Sequence, residues 1–234
     1  PTTTVATVAL SADAGSSSSD FITNVGTQNI GGTLSVALAT GESVQVSKDN
    51  GATWTAATAT VGSTAWTISG VTLTGAGTLK AKVGDTAGND GPVVSKAYVI
   101  DTTAPGVPTL AEEGSSDLAD SLMNNAESTT TTFRATLVGT GTAAPVAGDS
   151  VELLLGGASF GAPKKVVLTS TDITNQYVDF TVLKADLGVD GAKALSAKVV
   201  DVAGNASAAS TALLSCSTMA SGTAGFTWIA THAE

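Results

Sequence analysis

Short runs of alternating apolar and polar residues recur along the chain, and turn-forming residues separate them. The alternation is clearest at Val44–Val46 and Leu79–Val83. A period of two is typical of a β-strand that buries one face. In the first half of the chain the pattern predicts seven strands, at residues 5–10, 32–38, 43–47, 53–61, 65–73, 78–83 and 93–100.

The second half of the chain repeats this pattern with slightly longer connections. It predicts strands at residues 132–138, 150–155, 165–168, 177–183, 194–200 and 210–214. The one mildly helical stretch, residues 183–187, is too short to change the fold class. About seven short strands in a hundred residues favour a β-sandwich. We therefore predict an all-β chain of two tandem immunoglobulin-like β-sandwiches with about seven strands each.

An internal repeat supports two copies of one fold. Residues 10–24 and 110–124 share polar positions at a constant offset of 100, from Asp13, Asp20 and Asn24 to Glu113, Asp120 and Asn124. Further along, Asp-Thr-Ala-Gly-Asn at 85–89 matches Asp-Val-Ala-Gly-Asn at 201–205, with an offset of 116. The second copy is therefore longer in its middle.

Prolines mark the boundary between the copies. Tyr-Val-Ile at 98–100 ends the last strand of the first copy, and Pro105 and Pro108 follow closely. Proline interrupts β-pairing and stiffens a linker. We predict a first domain at 1–104, a second at 105–215 and a C-terminal tail at 216–234, with a short proline-containing linker between the domains.

Composition and charge limit the classes of partner that the chain can bind. The net charge is −10 and the isoelectric point is about 4.3, which disfavours nucleic acid and anionic membranes and suits cations. No apolar run approaches the roughly 18 residues that a membrane span needs. Cys216 is the only cysteine, so the chain forms no internal disulfide. We predict no nucleic-acid partner and no membrane insertion.

Several segments together resemble a known class of repeats. The boundary Ile-Asp-Thr-Thr-Ala-Pro at 100–105, the two Asp-x-Ala-Gly-Asn loops and the segments 12–24 and 115–124 are similar to tandem bacterial immunoglobulin-like repeats. Such repeats occur in large biofilm-associated adhesins, type I-secreted adhesins and S-layer-type surface proteins. The resemblance implies an extracellular place on the bacterial surface, a stalk-forming role, and Ca²⁺ at domain junctions.

Calcium needs six to eight oxygen ligands, usually from several carboxylates, amides and main-chain carbonyls. In a sandwich, the loop after the first strand and the end of the last strand share one pole, and the last hairpin loop lies at the other. We therefore expect a junction site from Asp13, Asp20, Asn24, Asp101, Asp201 and Asn205. Weaker candidates are Asp85, Asn89, Glu113, Asp120 and Asn124. The alternative is that Asp-x-Ala-Gly-Asn is only a tight turn.

Catalytic constellations are scarce in the sequence. The only histidine, His232, lies near the end of the tail, and Cys216 has no histidine close in sequence. Residues 47–54 fit the Ser-x-Asp-x-Gly-x-x-Trp pattern found in sialidases, but a sialidase needs an arginine cluster and Arg134 is the only arginine. We predict a structural hairpin there and no enzyme. The core residues expected are Trp54, Trp66 and Tyr98 in the first copy, and Phe133, Tyr177 and Phe180 in the second.

The tail carries Phe226 and Trp228, which would share one face of a strand. Either this segment folds back on the second domain or belongs to a truncated next repeat, or it pairs as a strand with the edge of a neighbouring subunit. The function predicted is a non-enzymatic spacer or stalk segment of an extracellular adhesin. The alternative is a self-assembling S-layer or filament subunit that uses edge-strand or tail contacts. The partners are then neighbouring repeats or copies of the chain itself, and oligomeric state separates the two functions.

Overall fold

The structure, a computed structural model, describes residues 1–113, 122–123, 131–188 and 191–217. Its first half is built from β1 Ala9–Leu10, β2 Ile22–Thr23, β3 Thr27–Thr33, β4 Glu42–Ser47, β5 Thr55–Ala56, β6 Thr58–Ala59, β7 Ala65–Thr72, β8 Gly75–Asp85 and β9 Val94–Ile100. These strands form two sheets, with orders β1-β3-β7-β6 and β2-β9-β8-β4-β5. Residues 1–104 are called the N-terminal unit below.

The second half contains β10 Thr109–Glu113, β11 Leu122–Met123, β12 Thr131–Thr136, β13 Ser150–Leu155, β14 Ala158–Val167, α1 Ser170–Asn175, β15 Tyr177–Val182, α2 Lys184–Leu187, β16 Gly191–Val200 and β17 Leu213–Ser217. Its sheets have the orders β10-β12-β15 and β11-β17-β16-β13-β14. The strand order therefore repeats that of the N-terminal unit. Residues 105–217 are called the C-terminal unit.

Each unit has its own apolar core between its two sheets. In β8 the buried residues Leu79, Ala81 and Val83 alternate with partly exposed lysines, so period-two patterning fixes which face points inward. The same strand pairs with β4 in a register that sets Val44 opposite Val83. Phe133 and Leu195 are fully buried in the C-terminal unit. The predicted all-β class and the sandwich arrangement are confirmed, whereas the domain boundaries stay a prediction.

One strand pair in each unit runs parallel, unlike the antiparallel pairs around it. In the N-terminal unit β2 pairs with β9, with Ile22 opposite Val99 and Thr23 opposite Ile100. In the C-terminal unit β11 pairs in parallel with β17. In both cases the chain leaves the first strand in one sheet and crosses to the edge of the other sheet.

Several element boundaries differ from those predicted. The strand expected at 32–38 lies at Thr27–Thr33 instead, and the one expected at 53–61 is split into β5 and β6. The strand expected at 165–168 is the end of the ten-residue β14. Helix α1 was not predicted, whereas the mildly helical stretch at 183–187 contains α2. Among the described residues, no helix has the length and apolarity needed to cross a lipid bilayer.

Candidate junction site between the two units

One pole of the N-terminal unit contacts one pole of the C-terminal unit through direct hydrogen bonds. The loop between β1 and β2 of the N-terminal unit faces residues 201–205, the loop between β16 and β17. Ser16 N donates to Val202 O at 3.0 Å, and Asn24 N donates to Ala203 O at 3.1 Å. Asn205 Nδ2 donates to Asp101 O at 2.8 Å. The structure thus brings Asn24, Asp101 and the 201–205 loop to one junction.

Two glycines lie against each other at this junction. Gly15 has φ +116° and Gly204 has φ +95°, values that side chains rarely tolerate. A Cβ added to Gly15 would lie 2.1 Å from Val202 O, and one added to Gly204 would lie 3.2 Å from Gly15 Cα. The main chains of the two units are therefore in contact, and both positions require glycine.

The 201–205 loop is a turn closed by its own side chains. Asp201 Oδ1 accepts from Asn205 N at 2.8 Å, and Asp201 Oδ2 accepts from Asn205 Nδ2 at 2.8 Å. The same Asn205 amide nitrogen donates across the junction to Asp101 O. The tight-turn alternative thus describes the local chemistry of the loop, and the turn also aims Asn205 at the N-terminal unit.

The matching loop of the N-terminal unit has the same internal bonds. Asp85 Oδ1 accepts from Ala87 N at 3.0 Å and from Asn89 N at 2.9 Å, and Asp85 Oδ2 accepts from Asn89 Nδ2 at 2.9 Å. These bonds with Asn89 lower the pKa of the Asp85 carboxyl. The amino group of Pro1 lies 3.5 Å from Asp85 Oδ2. The weaker candidates Asp85 and Asn89 therefore shape a turn that contacts the chain's first residue.

Three carboxylates line a cavity of about 140 Å³ at the junction: those of Asp101, Asp149 and Asp201. Asp149 is only 2% exposed; its Oδ1 accepts from Val202 N at 3.1 Å and its Oδ2 from Val146 N at 2.8 Å. Burial raises the pKa of the Asp149 carboxyl, and the negative charges of Asp201 and Asp101 raise it further. None of the salt bridges among the described residues involves these three carboxylates.

Asp149 was not among the predicted site residues, although the sequence carries a signal for it. Gly-Asp-Ser-Val at 148–151 repeats Gly-Glu-Ser-Val at 41–44, with an offset of 107. In the N-terminal unit Glu42 Oε1 accepts from Thr2 N at 3.1 Å, and Glu42 Oε2 accepts from Ala39 N at 3.1 Å. Each copy therefore places a carboxylate at the start of an equivalent strand, β4 in the N-terminal unit and β13 in the C-terminal unit.

The other predicted ligands have different neighbours. Asp13 Oδ2 accepts from Phe21 N at 3.0 Å, and its buried Oδ1 has no hydrogen-bond partner among the described residues. Asp20 Oδ1 accepts from Ile22 N at 2.9 Å. Neither residue lines the cavity that Asp101 lines. Glu113 pairs with Arg134 at 3.2 Å, and Asp120, Asn124, Phe226 and Trp228 lie outside the described residues.

The junction has the charge but not the preformed geometry of a metal centre. In the described ranges, no three His, Cys, Asp or Glu side chains form a group that could hold a metal ion. The carboxylates of Asp101, Asp149 and Asp201 share a cavity without converging on one point. Their unneutralised charge is nevertheless what a divalent cation would relieve.

The hairpin at residues 47–54 is held by Asp49. This carboxylate accepts from Ser47 Oγ at 2.7 Å and from Thr53 N at 2.9 Å, and these bonds lower the pKa of Asp49. The Lys82 ammonium lies 4.3 Å from the centroid of the Trp54 ring. Trp54 is therefore half-buried at the surface and does not belong to the apolar core, contrary to expectation.

Tyr177 likewise differs from the core role predicted for it. It is half-buried, and the Arg134 guanidinium stacks 3.6 Å from its ring centroid. The same guanidinium donates to Asp179 through Nε at 2.8 Å and Nη2 at 2.9 Å. The remaining predicted core aromatics are buried, namely Trp66, Tyr98, Phe133 and Phe180.

No protein-family model matches the chain, and no curated protein matches it. Among solved structures, a Ca²⁺-stabilised adhesin that helps an Antarctic bacterium reach out and bind ice is 23% identical, with a TM-score of 0.39, over 92% of this chain and 49% of that one. The fibronectin(III)-like modules of Clostridium thermocellum CbhA are 16% identical, with a TM-score of 0.49, over 90% of this chain and 95% of theirs. A tetra-tandem repeat from the extending region of a large adhesion protein is 21% identical, with a TM-score of 0.30, over 93% of this chain and 49% of that one.

The chain thus spans about half the length of the two adhesin structures, 49% of each. The matches include adhesin repeats, which the sequence resemblance named, and fibronectin-like modules, which it did not name. The fold is assigned here from the sheet orders of the two units.

Proposed function

We propose that the chain is a non-enzymatic spacer in the stalk of a bacterial surface adhesin, and that calcium stiffens the junction between its two units. The observation that carries the proposal is the direct main-chain contact between the poles of the units. Ser16 and Asn24 donate main-chain hydrogen bonds to the 201–205 loop, and Gly15 lies against Gly204. A spacer that transmits force needs such a fixed junction.

The linker supports the same conclusion because it is held by the unit that follows it. Pro105 and Pro108 are buried, and Gly106 N donates to Ala143 O at 2.9 Å. Thr103 N donates to Asp101 Oδ1 at 2.9 Å, which orders the chain just after β9. A short linker with two buried prolines leaves few free torsions between the units.

A calcium ion at the junction would have to draw together the carboxylates of Asp101, Asp149 and Asp201, which share a cavity but do not converge on one point in this structure. Calcium binds flexible sets of carboxylate and carbonyl oxygens, and these three carboxylates come from three separate elements. Burial is the main cause of the raised pKa of Asp149, and a cation would remove the smaller contribution that comes from repulsion by Asp201 and Asp101. A bound ion would link the end of β9 to the C-terminal unit and so oppose bending.

The adhesin class rests on the sequence motifs and on the acidic, lysine-poor composition of the chain. A location on the bacterial surface and neighbouring repeats as partners follow from that class. In a spacer the isolated chain is an elongated monomer, whereas an S-layer or filament subunit self-associates. Particle mass in solution distinguishes the two functions.

The test is thermal unfolding with millimolar calcium or with chelator, combined with small-angle X-ray scattering. A cation that binds only the folded state raises the midpoint by mass action, by about 2.7 kcal/mol when its concentration is a hundred times Kd. We expect a rise in Tm and an extended monomer. The rise should disappear in Asp149→Asn and persist in Glu42→Gln, the matched position of the N-terminal unit.

Two outcomes would contradict parts of this proposal. Equal thermal unfolding midpoints in calcium and in chelator would contradict calcium binding. The stiffness of the junction would then depend on its hydrogen bonds and glycines alone. Scattering curves of a flexible two-body particle, in calcium and in chelator alike, would contradict the spacer function. A freely hinged pair of units cannot hold a fixed distance.

A further inference from the structure

The turn of the hairpin at residues 47–54 places an asparagine directly before a glycine. Asn50 has φ +58° and Gly51 has φ +95°, the pair of positive values that a type I′ turn requires. Asn50 is exposed, and among the described residues its side-chain amide has no hydrogen-bond partner. Residues 50 and 51 are the only Asn-Gly pair in the sequence. The turn therefore presents a free carboxamide beside a main-chain nitrogen that carries no bulky residue.

An asparagine before glycine can react with its own main chain because glycine has no side chain to obstruct the approach. The Gly51 nitrogen gives up its proton and attacks Asn50 Cγ, which closes a succinimide ring. The bond from Cγ to Nδ2 breaks, and Nδ2 takes up a proton and leaves as ammonia. Water then opens the ring at either carbonyl and yields aspartate or isoaspartate at position 50. Water is the only co-reactant, and nothing is oxidised or reduced.

Ser47 controls the proton that this reaction must remove. Gly51 N donates to Ser47 Oγ at 2.8 Å, and Ser47 Oγ donates in turn to Asp49 Oδ1 at 2.7 Å. These two bonds could pass the proton to Asp49 or hold it on Gly51. Hydrogen bonds from Ser47 and Thr53 lower the pKa of the Asp49 carboxyl, so Asp49 is a poor base. The buried Ser47 hydroxyl therefore keeps the Gly51 nitrogen protonated and restrains its position.

A lysine ammonium acts on the same nitrogen in the opposite sense. A Cβ added to Gly51 would lie 3.6 Å from Lys80 Nζ, so the ammonium is next to the Gly51 main chain. Lys80 belongs to β8, to which Asn50 N ties the turn by donating to Thr78 O at 3.3 Å. Among the described residues Lys80 forms no salt bridge, so no carboxylate neutralises its charge. A positive charge at this distance stabilises the anionic nitrogen that attacks Cγ.

We propose that Asn50 is a site of slow self-deamidation in the folded chain, which Ser47 restrains and Lys80 promotes. Either product adds one negative charge to the turn, because a neutral carboxamide becomes a carboxylate. Isoaspartate also inserts a methylene group into the main chain. That insertion displaces the turn from Thr78 O and loosens the hairpin with time.

The test follows the purified full chain at neutral pH by peptide mass spectrometry, which detects the exchange of NH2 for OH at residue 50. We expect slow conversion in the folded wild type and faster conversion in urea, where the bond between Gly51 and Ser47 is lost. Ser47→Ala should accelerate conversion in the folded chain about fivefold, the factor that one ordinary hydrogen bond represents. The rate should also rise with pH, because the attacking nitrogen must lose its proton.

Two further variants separate control of the nitrogen from general loosening of the hairpin. Thr53→Ala removes only the hydroxyl bond to Asp49 Oδ2, and it should leave the rate nearly unchanged. Lys80→Gln should slow conversion about threefold while the hydrogen bonds of the hairpin remain. Loosening of the hairpin would accelerate the reaction in every variant, so opposite shifts in Ser47→Ala and Lys80→Gln distinguish the two causes.

Three results would overturn the proposal. The first is a folded wild type that keeps asparagine at position 50 while the chain in urea is converted. The second is a folded Ser47→Ala chain that reacts no faster than the wild type, and the third is an unchanged rate in Lys80→Gln. If thermal unfolding shows that Ser47→Ala does not fold, the wild type with and without urea and the Lys80→Gln variant still decide. The reaction is independent of calcium and of the junction, so its failure leaves the spacer function as it stands.

Discussion

At the scale of single residues, Gly204 is the position where one methyl group tests the contact between the units. We expect Gly204→Ala to open the junction, because the new Cβ would lie 3.2 Å from Gly15 Cα at a φ of +95°. The matched control is Gly88→Ala in the equivalent loop, at φ +85° with no atom within 4 Å. Both variants incur the roughly 1–2 kcal/mol cost of a left-handed alanine. Only Gly204→Ala should increase flexibility in small-angle scattering.

Equal scattering curves for Gly204→Ala and Gly88→Ala would show that the glycine contact does not hold the units together. A loss of Tm in both variants without a change of shape would indicate backbone strain alone. The comparison is sharp because the two loops share the sequence pattern Asp-x-Ala-Gly-Asn and the same turn hydrogen bonds.

Asp149 sets a pH dependence with an unusual sign for a carboxylate. Its pKa is raised by burial and by the charges of Asp201 and Asp101, so the folded state binds its proton more readily than the unfolded state. Its contribution to stability therefore grows as pH falls from neutral towards its ordinary pKa, and is lost as pH rises through the folded value. In chelator, the Tm difference between the wild type and Asp149→Asn should shift in favour of the wild type on acidification.

Asp49 provides the control of opposite sign. Hydrogen bonds from Ser47 and Thr53 lower its pKa, so its contribution is present above its ordinary pKa and is lost as pH falls. The wild type should therefore lose, not gain, relative to Asp49→Asn on acidification. If the two variants respond to pH with the same sign, the assignment of the buried charge to Asp149 is wrong.

At the scale of elements, helix α1 depends on a single cap. Thr169 Oγ1 accepts from Asp172 N at 3.3 Å, and Asp172 Oδ2 accepts from Thr169 N at 2.7 Å, forming a capping box. We expect Thr169→Ala to lower the free energy of unfolding by about 1 kcal/mol. Chemical denaturation measures this, with Thr171→Ala as the control because Thr171 is exposed on the same helix. Equal losses in both variants would refute the capping role.

The elements that were predicted well are those in which one face is uniformly apolar. The ladder of β8 follows directly from alternation, whereas the strand Ser150–Leu155 follows from its apolar run, in which the adjacent Leu153 and Leu154 are both buried. Strand β3 was misplaced because its buried position Gln28 is polar, and its amide group is satisfied by Ala12 O at 2.8 Å and Val25 O at 2.7 Å. Helix α1 was missed because side-chain bonds at its start, and not hydrophobic periodicity, specify it.

At the scale of the whole molecule, the sequence predicted which poles meet but not every side chain that lies there. Sandwich topology alone brings Asn24, Asp101 and the 201–205 loop together, as the structure shows. Asp13 and Asp20 accept hydrogen bonds from Phe21 N and Ile22 N of their own loop, and their assignment as ligands stays a prediction. Asp149 was missed because it lies at the start of a strand, and its role depends on burial that spacing does not reveal.

If the chain is the spacer that we propose, the parallel pairing of β2 with β9 determines how the N-terminal unit responds to pulling along its length. The chain enters β2 from the side of Pro1 and leaves β9 towards Asp101, so tension drags the two strands past each other along their length. The bonds from Val99 N to Phe21 O and from Asp101 N to Thr23 O then carry shear together. An antiparallel pair pulled at adjacent ends would unzip bond by bond. The parallel pair β11–β17 would resist shear in the C-terminal unit in the same way.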